Sequence, residues 1–156
     1  MTTATTSLVH ATAVVLTGRG VLILGPSGAG KSDLALRMIT TPLLHCSEPV
    51  DVRLVSDDQV LIEREGDRLF ASPPATIAGL LEVRGLGIVQ VPFVPRAEIH
   101  LAIVLKSAED IERLPVSGQT HPILGLNIPL IAIDGAKPGA PARLVLAALG
   151  TLRSER

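Results

Sequence analysis

A chain of 156 residues, 47% hydrophobic and 19% charged, has the length of one domain and enough aliphatic material for a core, which excludes a disordered segment. Two Phe and no Trp or Tyr leave the core to Leu, Ile, Val and Ala, and leave almost nothing to stack on single-stranded nucleic acid. A formal net charge of −1 with dispersed Lys and Arg excludes a basic duplex-binding face.

Cys46 is the single cysteine, so no intrachain disulfide and no CxxC metal site is available. The Thr-rich start, Met1 to His10, has no Lys or Arg and lacks the apolar stretch of a signal peptide. No window reaches the roughly 18 apolar residues of a membrane span. The expectation is a single domain over residues 1–156 in the reducing cytoplasm, with no membrane or nucleic-acid partner.

In chain order, Leu8 to Leu16 is apolar and β-branched, and Val21 to Leu24 follows a Gly-containing turn, so the two read as a hairpin. The second strand runs into GPSGAGKS. Leu34, Ala35, Met38 and Ile39 then recur at helical spacing until Thr40-Thr41-Pro42. Leu43 to Pro49 has no period and reads as loop. Val52 to Ser56 reads as a strand ending in Asp57-Asp58. Val60 to Glu63 and Arg68 to Ala71 flank Glu65-Gly66-Asp67 as a further hairpin. After Pro73-Pro74, Ile77 to Leu81 reads as a short helical segment. Val83 to Ile88 is Gly-rich and then strand-like. Ile99 to Leu105 reads as a strand buried on both faces. Ser107 to Leu114 starts like a capped helical turn ended by Pro115. Pro129 to Asp134 reads as the last strand, and Ala140 to Leu152 as a terminal helix.

Gly25-Pro26-Ser27-Gly28-Ala29-Gly30-Lys31-Ser32 matches G-x-x-x-x-G-K-S/T. Its glycines let successive backbone N–H groups turn toward one anion, and the helix that follows adds its positive end. Lys31 reaches the β- and γ-phosphates of a nucleotide, and the Ser32 hydroxyl can ligate Mg²⁺. A strand before and a helix after supply the context that separates this motif from a chance glycine-rich turn.

Asp57-Asp58 closes a hydrophobic strand, the place where a P-loop protein puts an acid facing the metal or the reacting group. One carboxylate can bind Mg²⁺ through water while the other accepts a proton from an attacking hydroxyl. Alone, the pair would be read as a solvated turn. Glu82 and Arg84 stand at i and i+2, on one side of an expected strand. Glu82 can complete Mg²⁺ coordination and Arg84 can hold phosphate bidentately, against the plainer reading of a surface ion pair. Hairpin geometry can bring His10 toward the phosphates, against the plainer reading of a surface imidazole. His45, His100 and His121 share no ligand spacing and read as structural, and Cys46 as an inert thiol. No N-K-x-D, no LSGGQ-like segment and no Arg-rich lid is present, which argues against a Ras-like GTPase, a transporter ATPase and a small nucleotide kinase.

Taken together, these segments resemble HPr kinase/phosphorylase in family order: His10 in the first strand, GPSGAGKS, LVSDDQV, and LLEVRGLGI at Leu80 to Ile88. Glu112-Arg113-Leu114-Pro115 and Ile123 to Ile133 are also similar, so the resemblance covers nearly the whole chain. It implies an α/β P-loop fold of the phosphoenolpyruvate carboxykinase-like type, with a mixed central sheet and flanking helices, in a short form made of the catalytic domain. It implies phosphoryl transfer from ATP or pyrophosphate to a serine of the phosphocarrier protein HPr, with reverse phosphorolysis by phosphate. His10, Lys31, Asp57 and Arg113 are then catalytic, with Asp57, or in the alternative Asp58, the proton acceptor, and Ser32 and Glu82 bind Mg²⁺. Homo-oligomers, hexamers in the family, are implied as well. The chain departs from the family pattern at Pro26, at Ala11 after the histidine, in LVSDD, and in the loop Asp134 to Pro141, which lacks arginine. Two other functions fit the same loop: a small-molecule kinase using Asp57, and a nucleotide- or phosphate-responsive regulator that needs no proton acceptor.

Overall fold

The computed structural model describes residues 5–114 and 118–150. In chain order it contains β1 (Thr6–Val9), β2 (Thr12–Leu16), β3 (Arg19–Leu24), α1 (Lys31–Thr40), β4 (Leu44–His45), β5 (Glu48–Pro49), β6 (Val52–Ser56), β7 (Val60–Glu65) and β8 (Arg68–Ser72). A 3₁₀ turn (Ala75–Ile77), β9 (Leu80–Val83), β10 (Gly87–Gln90) and β11 (Ala97–Leu105) follow. A second 3₁₀ turn (Ala108–Asp110), β12 (Thr120–Ile123), β13 (Leu126–Ile133) and α2 (Ala140–Leu149) complete it.

Nine strands form one mixed sheet. Its main path runs β1-β7-β8-β11-β3-β2-β6, and β13, carrying β12, also joins β11. The sheet branches at β11. Ala97 and Glu98 pair antiparallel with β8, whereas Ala102 to Leu105 pair parallel with β13 along the same edge. The other edge of β11 pairs parallel with β3. Gly20 permits that last pairing: a Cβ there would lie 2.2 Å from the Glu98 carbonyl oxygen. The branch curls the sheet and gives it two apolar faces. Strand alternation divides them. Val14, Leu16, Val21 and Ile23 pack beneath α1 and α2 with Leu34, Met38 and Leu144. Ala13, Val15 and Leu22 face the other way, against Ile62, Leu69 and Ala71 of the curled part.

Several expectations are corrected. The run Leu8 to Leu16 is two strands: it breaks at the His10-Ala11 bend, because β1 pairs with β7 while β2 pairs with β3 and β6. Leu43 to Pro49 holds a two-residue ladder, β4 with β5, turned by Cys46 and Ser47 at positive φ. Of Ile77 to Leu81 only Ile77 is helical, as the end of the 3₁₀ turn. Ala78 leaves the turn at ψ 127, Gly79 follows at φ 75, and Leu80 and Leu81 enter β9. Ser107 makes no side-chain cap, and the N–H of Ala108 is instead bonded by the Asp134 carboxylate at 2.9 Å. The last strand starts at Leu126 rather than Pro129, where a Leu124-Gly125 turn at positive φ folds it onto β12. The helix ending expected at Leu152 and the break expected at Pro115 lie outside the described residues.

Candidate phosphate-binding and catalytic site

Strands β3, β11 and β13 are mutually parallel, so their C-terminal ends lie along one edge of the sheet. That edge is where open α/β sheets bind ligands. The loop after β3 is Gly25 to Gly30. Gly25, Gly28 and Gly30 take φ values of 157, 82 and 97, and the Ala29 N–H bonds the Pro26 carbonyl at 3.0 Å. Side chains other than glycine seldom adopt such φ values, so the glycines of the motif are a backbone requirement. Gly30 leads directly into α1, whose positive end therefore opens into the loop.

Lys31, only 6% exposed, folds back over this loop: its Nζ donates to the Gly25 carbonyl at 2.8 Å and to the Pro26 carbonyl at 3.0 Å. An ammonium has three protons, so one stays available to an anion in the loop. Ser32 sits next on α1, and its Oγ donates to Asp57 Oδ1 at 2.6 Å.

Asp57 joins three elements. It follows β6 and is 6% exposed. Besides Ser32, its Oδ1 accepts from Thr12 Oγ1 at 2.9 Å, and its Oδ2 accepts from the backbone N–H of Glu82 at 3.2 Å. The P-loop helix, the first residue of β2 and the middle of β9 are thus tied to one buried carboxylate. Asp58 points elsewhere. It lies at φ 71, its side chain is 69% exposed, and its Oδ1 is 3.3 Å from His10 Nε2. Asp58 also accepts from Ala11, whose N–H bonds its carbonyl at 3.2 Å, so the His10-Ala11 bend and the Asp57-Asp58 turn are stitched together. The two aspartates that look equivalent in sequence therefore differ: one buried and triply bonded, one at the surface beside an imidazole.

The other candidates are placed less centrally. Glu82 lies in β9 with an exposed carboxylate, and it is its backbone that reaches Asp57. Arg84 does not share its strand face. β9 ends at Val83, and Arg84 opens the exposed turn before β10, closed by the Leu86 N–H on the Val83 carbonyl at 2.9 Å. Arg113 is exposed in a bend after the second 3₁₀ turn.

Two contributors were not anticipated from the sequence. Thr12 is fully buried in an otherwise apolar strand and bonds Asp57. The lone hydroxyl in the run Ala11 to Leu16 was its only signal. Arg37, on α1, pairs with Asp33 at 3.2 Å and donates to the carbonyls of Gly135 and Lys137. It straps the loop after β13 against the P-loop helix across 98 residues of sequence. A cavity of about 430 Å³ opens at the far end of α1, lined by Met38, Thr41, Pro42, Asp51 and Pro92, and gathers none of these groups.

No helix among the described residues is long and apolar enough to cross a membrane. Residues 1–155 match the family described as HPr Serine kinase C-terminal domain. Proteins named HPr kinase/phosphorylase are similar to the chain. That of Chlorobium phaeobacteroides (strain BS1) is 36% identical over 88% of this chain and 41% of its own length. That of Clostridium beijerinckii is 34% identical over 89% of this chain and 46% of its own. The chain thus spans less than half the length of these curated relatives. Among solved structures, the Hpr(Ser) kinase/phosphatase from Coxiella burnetii superposes with a TM-score of 0.71 at 29% identity, covering 88% of this chain and 91% of that one. The mixed α/β fold with its curled sheet is thus similar to that structure over most of the chain, and the chain belongs to the HPr serine kinase C-terminal domain family.

Proposed function

We propose that this chain is a protein serine kinase domain that transfers a phosphoryl group from ATP, or from pyrophosphate, to a serine of HPr, and that it runs the reverse phosphorolysis with inorganic phosphate. The observation that carries this is the junction at Asp57. We read the carboxylate bonded at 2.6 Å to the P-loop serine as the proton acceptor for a hydroxyl attacking the terminal phosphate, a role its closeness to the phosphate loop supports.

Phosphoryl transfer passes through a loose transition state, so positioning and charge do most of the work. The backbone N–H groups from Ser27 to Ser32, apart from that of Ala29, which is bonded to the Pro26 carbonyl, and the remaining Lys31 proton hold the phosphate oxygens. Asp57 takes the serine proton and returns it in the reverse direction. His10 and Asp58, on the same rim, orient the incoming hydroxyl. Arg84, on the turn after β9, and Arg113 supply further positive charge, Arg113 across a subunit boundary in a homo-oligomer.

The residues suit Mg²⁺. Ser32 Oγ, the Asp57 carboxylate and the Glu82 carboxylate are all hard oxygen donors, the chemistry this ion requires. Among the described residues no group of three or more His, Cys, Asp or Glu forms a metal cage. Such sparse protein ligation is normal for Mg²⁺ held mainly by substrate phosphates. When bound, the ion neutralises charge on the phosphoryl oxygens.

Incubating the purified chain with Mg²⁺, γ-labelled ATP and HPr should yield acid-stable phosphoserine, and adding inorganic phosphate should remove the label as pyrophosphate. Tight nucleotide binding without label on any protein would replace a kinase with a nucleotide-responsive regulator.

A further inference from the structure

We infer that Thr12 is a positioning residue that fixes which oxygen of Asp57 faces the reaction. The inference builds on the proposed phosphoryl-transfer site. A carboxylate oxygen offers two lone-pair positions. On Oδ1 both are filled, one by the Thr12 hydroxyl at 2.9 Å and one by the Ser32 hydroxyl at 2.6 Å. On Oδ2 one is filled, by the Glu82 N–H at 3.2 Å. A single acceptor position is left, on Oδ2, for the proton of an attacking hydroxyl or for a water of the cation shell.

The setting of Thr12 supports a purpose beyond packing. It is fully buried, it begins β2 opposite Ile23, and its neighbours Ala11, Ala13 and Val14 are all fully buried and apolar. A hydroxyl there is costly unless bonded, and valine would fill the same shape. Thr12 also rides on a strand paired to both β3, which carries the P-loop, and β6, which carries Asp57. Its side chain therefore references the carboxylate to the phosphate cradle. Without it, Oδ1 gains a free lone pair, the carboxylate can exchange its two oxygens, and Ser32 loses the fixed acceptor that sets its hydroxyl direction.

The test compares Thr12→Val, which keeps shape and removes the donor, with Thr12→Ser, which keeps the donor. Nucleotide binding is measured by calorimetry with ATP plus Mg²⁺ and with ATP plus EDTA, beside kcat for transfer to HPr. In Thr12→Val the gain in affinity conferred by Mg²⁺ and the kcat should each fall by roughly tenfold or more, with metal-free binding unchanged. Thr12→Ser should recover most of both. Two results would overturn the inference: Thr12→Val matching the unaltered protein, or Thr12→Ser failing as badly as Thr12→Val with a lowered melting temperature, which would make Thr12 a packing residue. Should the unaltered protein label no HPr, the kinase proposal fails, and the calorimetric comparison still decides the role of Thr12.

Discussion

Replacing Asp57 by Asn separates the two aspartates most sharply. Whichever way the amide is set, its NH₂ faces a donor. If the carbonyl keeps Thr12 and Ser32, the NH₂ meets the Glu82 N–H. If it is flipped, the NH₂ meets two hydroxyls that must turn to accept. One buried donor is thus left opposed, at about 1–3 kcal/mol. For a chain of this size about 1 kcal/mol moves the melting temperature by roughly 2–4 °C, so Asp57→Asn should lower it by about 2–12 °C. Transfer to HPr should drop about 10²–10⁴-fold with loss of the proton acceptor, while nucleotide still binds. Asp58→Asn is the control. That side chain is 69% exposed beside a 48% exposed His10, a surface pair contributing at most about 1 kcal/mol, and Asn tolerates a φ of 71. Its melting temperature should stay within about 4 °C of the unaltered protein. Differential scanning calorimetry and a phosphoserine assay on both variants decide the matter. A larger thermal loss from Asp58→Asn, or unchanged transfer in Asp57→Asn, would refute the assignment of the buried carboxylate.

Lys31→Ala removes the free ammonium proton and should weaken ATP binding by roughly a hundredfold, read by titration with a fluorescent nucleotide. Gly20→Ala places a Cβ 2.2 Å from the Glu98 carbonyl oxygen and should cost about 3 kcal/mol or more, measured as a shift in urea midpoint. His100 is the extra residue where the β11–β3 register shifts, and its Nδ1 is buried without a partner. Burial first, and the nearby Arg19 charge second, hold its imidazole below the ordinary value. The unfolded chain then binds the proton more readily, so stability should fall as pH drops from about 7.5 to 5.5. His100→Gln should flatten that part of the melting-temperature profile, and an unchanged slope would rule His100 out as its source.

Much of the site was legible because its signals are local. The strand, glycine loop and helix around Gly25 to Ser32 lie within one contiguous stretch, and so does the strand ending in Asp57-Asp58. Their juxtaposition was expected from the motif and is met by the Ser32 bond to Asp57. The missing pieces are nonlocal. Thr12 meets Asp57 across 45 residues, and Arg37 meets Gly135 across 98, and neither leaves a spacing pattern. The branch in β11 is equally invisible, since a strand buried on both faces looks the same whether one or two partners share its edge. Leu80-Leu81 gave no alternation to mark β9, and only Gly79, at positive φ, would have marked the boundary. That is why Glu82 and Arg84 were read on one strand, when the strand ends at Val83 and Arg84 opens the turn that follows.

The most direct measurement is label transfer from γ-labelled ATP and Mg²⁺ to HPr and to an HPr whose acceptor serine is replaced by alanine. A phosphoryl-transfer site built on the P-loop and Asp57 requires label on the first, none on the second, and an initial rate of labelling at least about a hundredfold lower with Asp57→Asn. Label that persists without the serine, or an undiminished rate with Asp57→Asn, would contradict it.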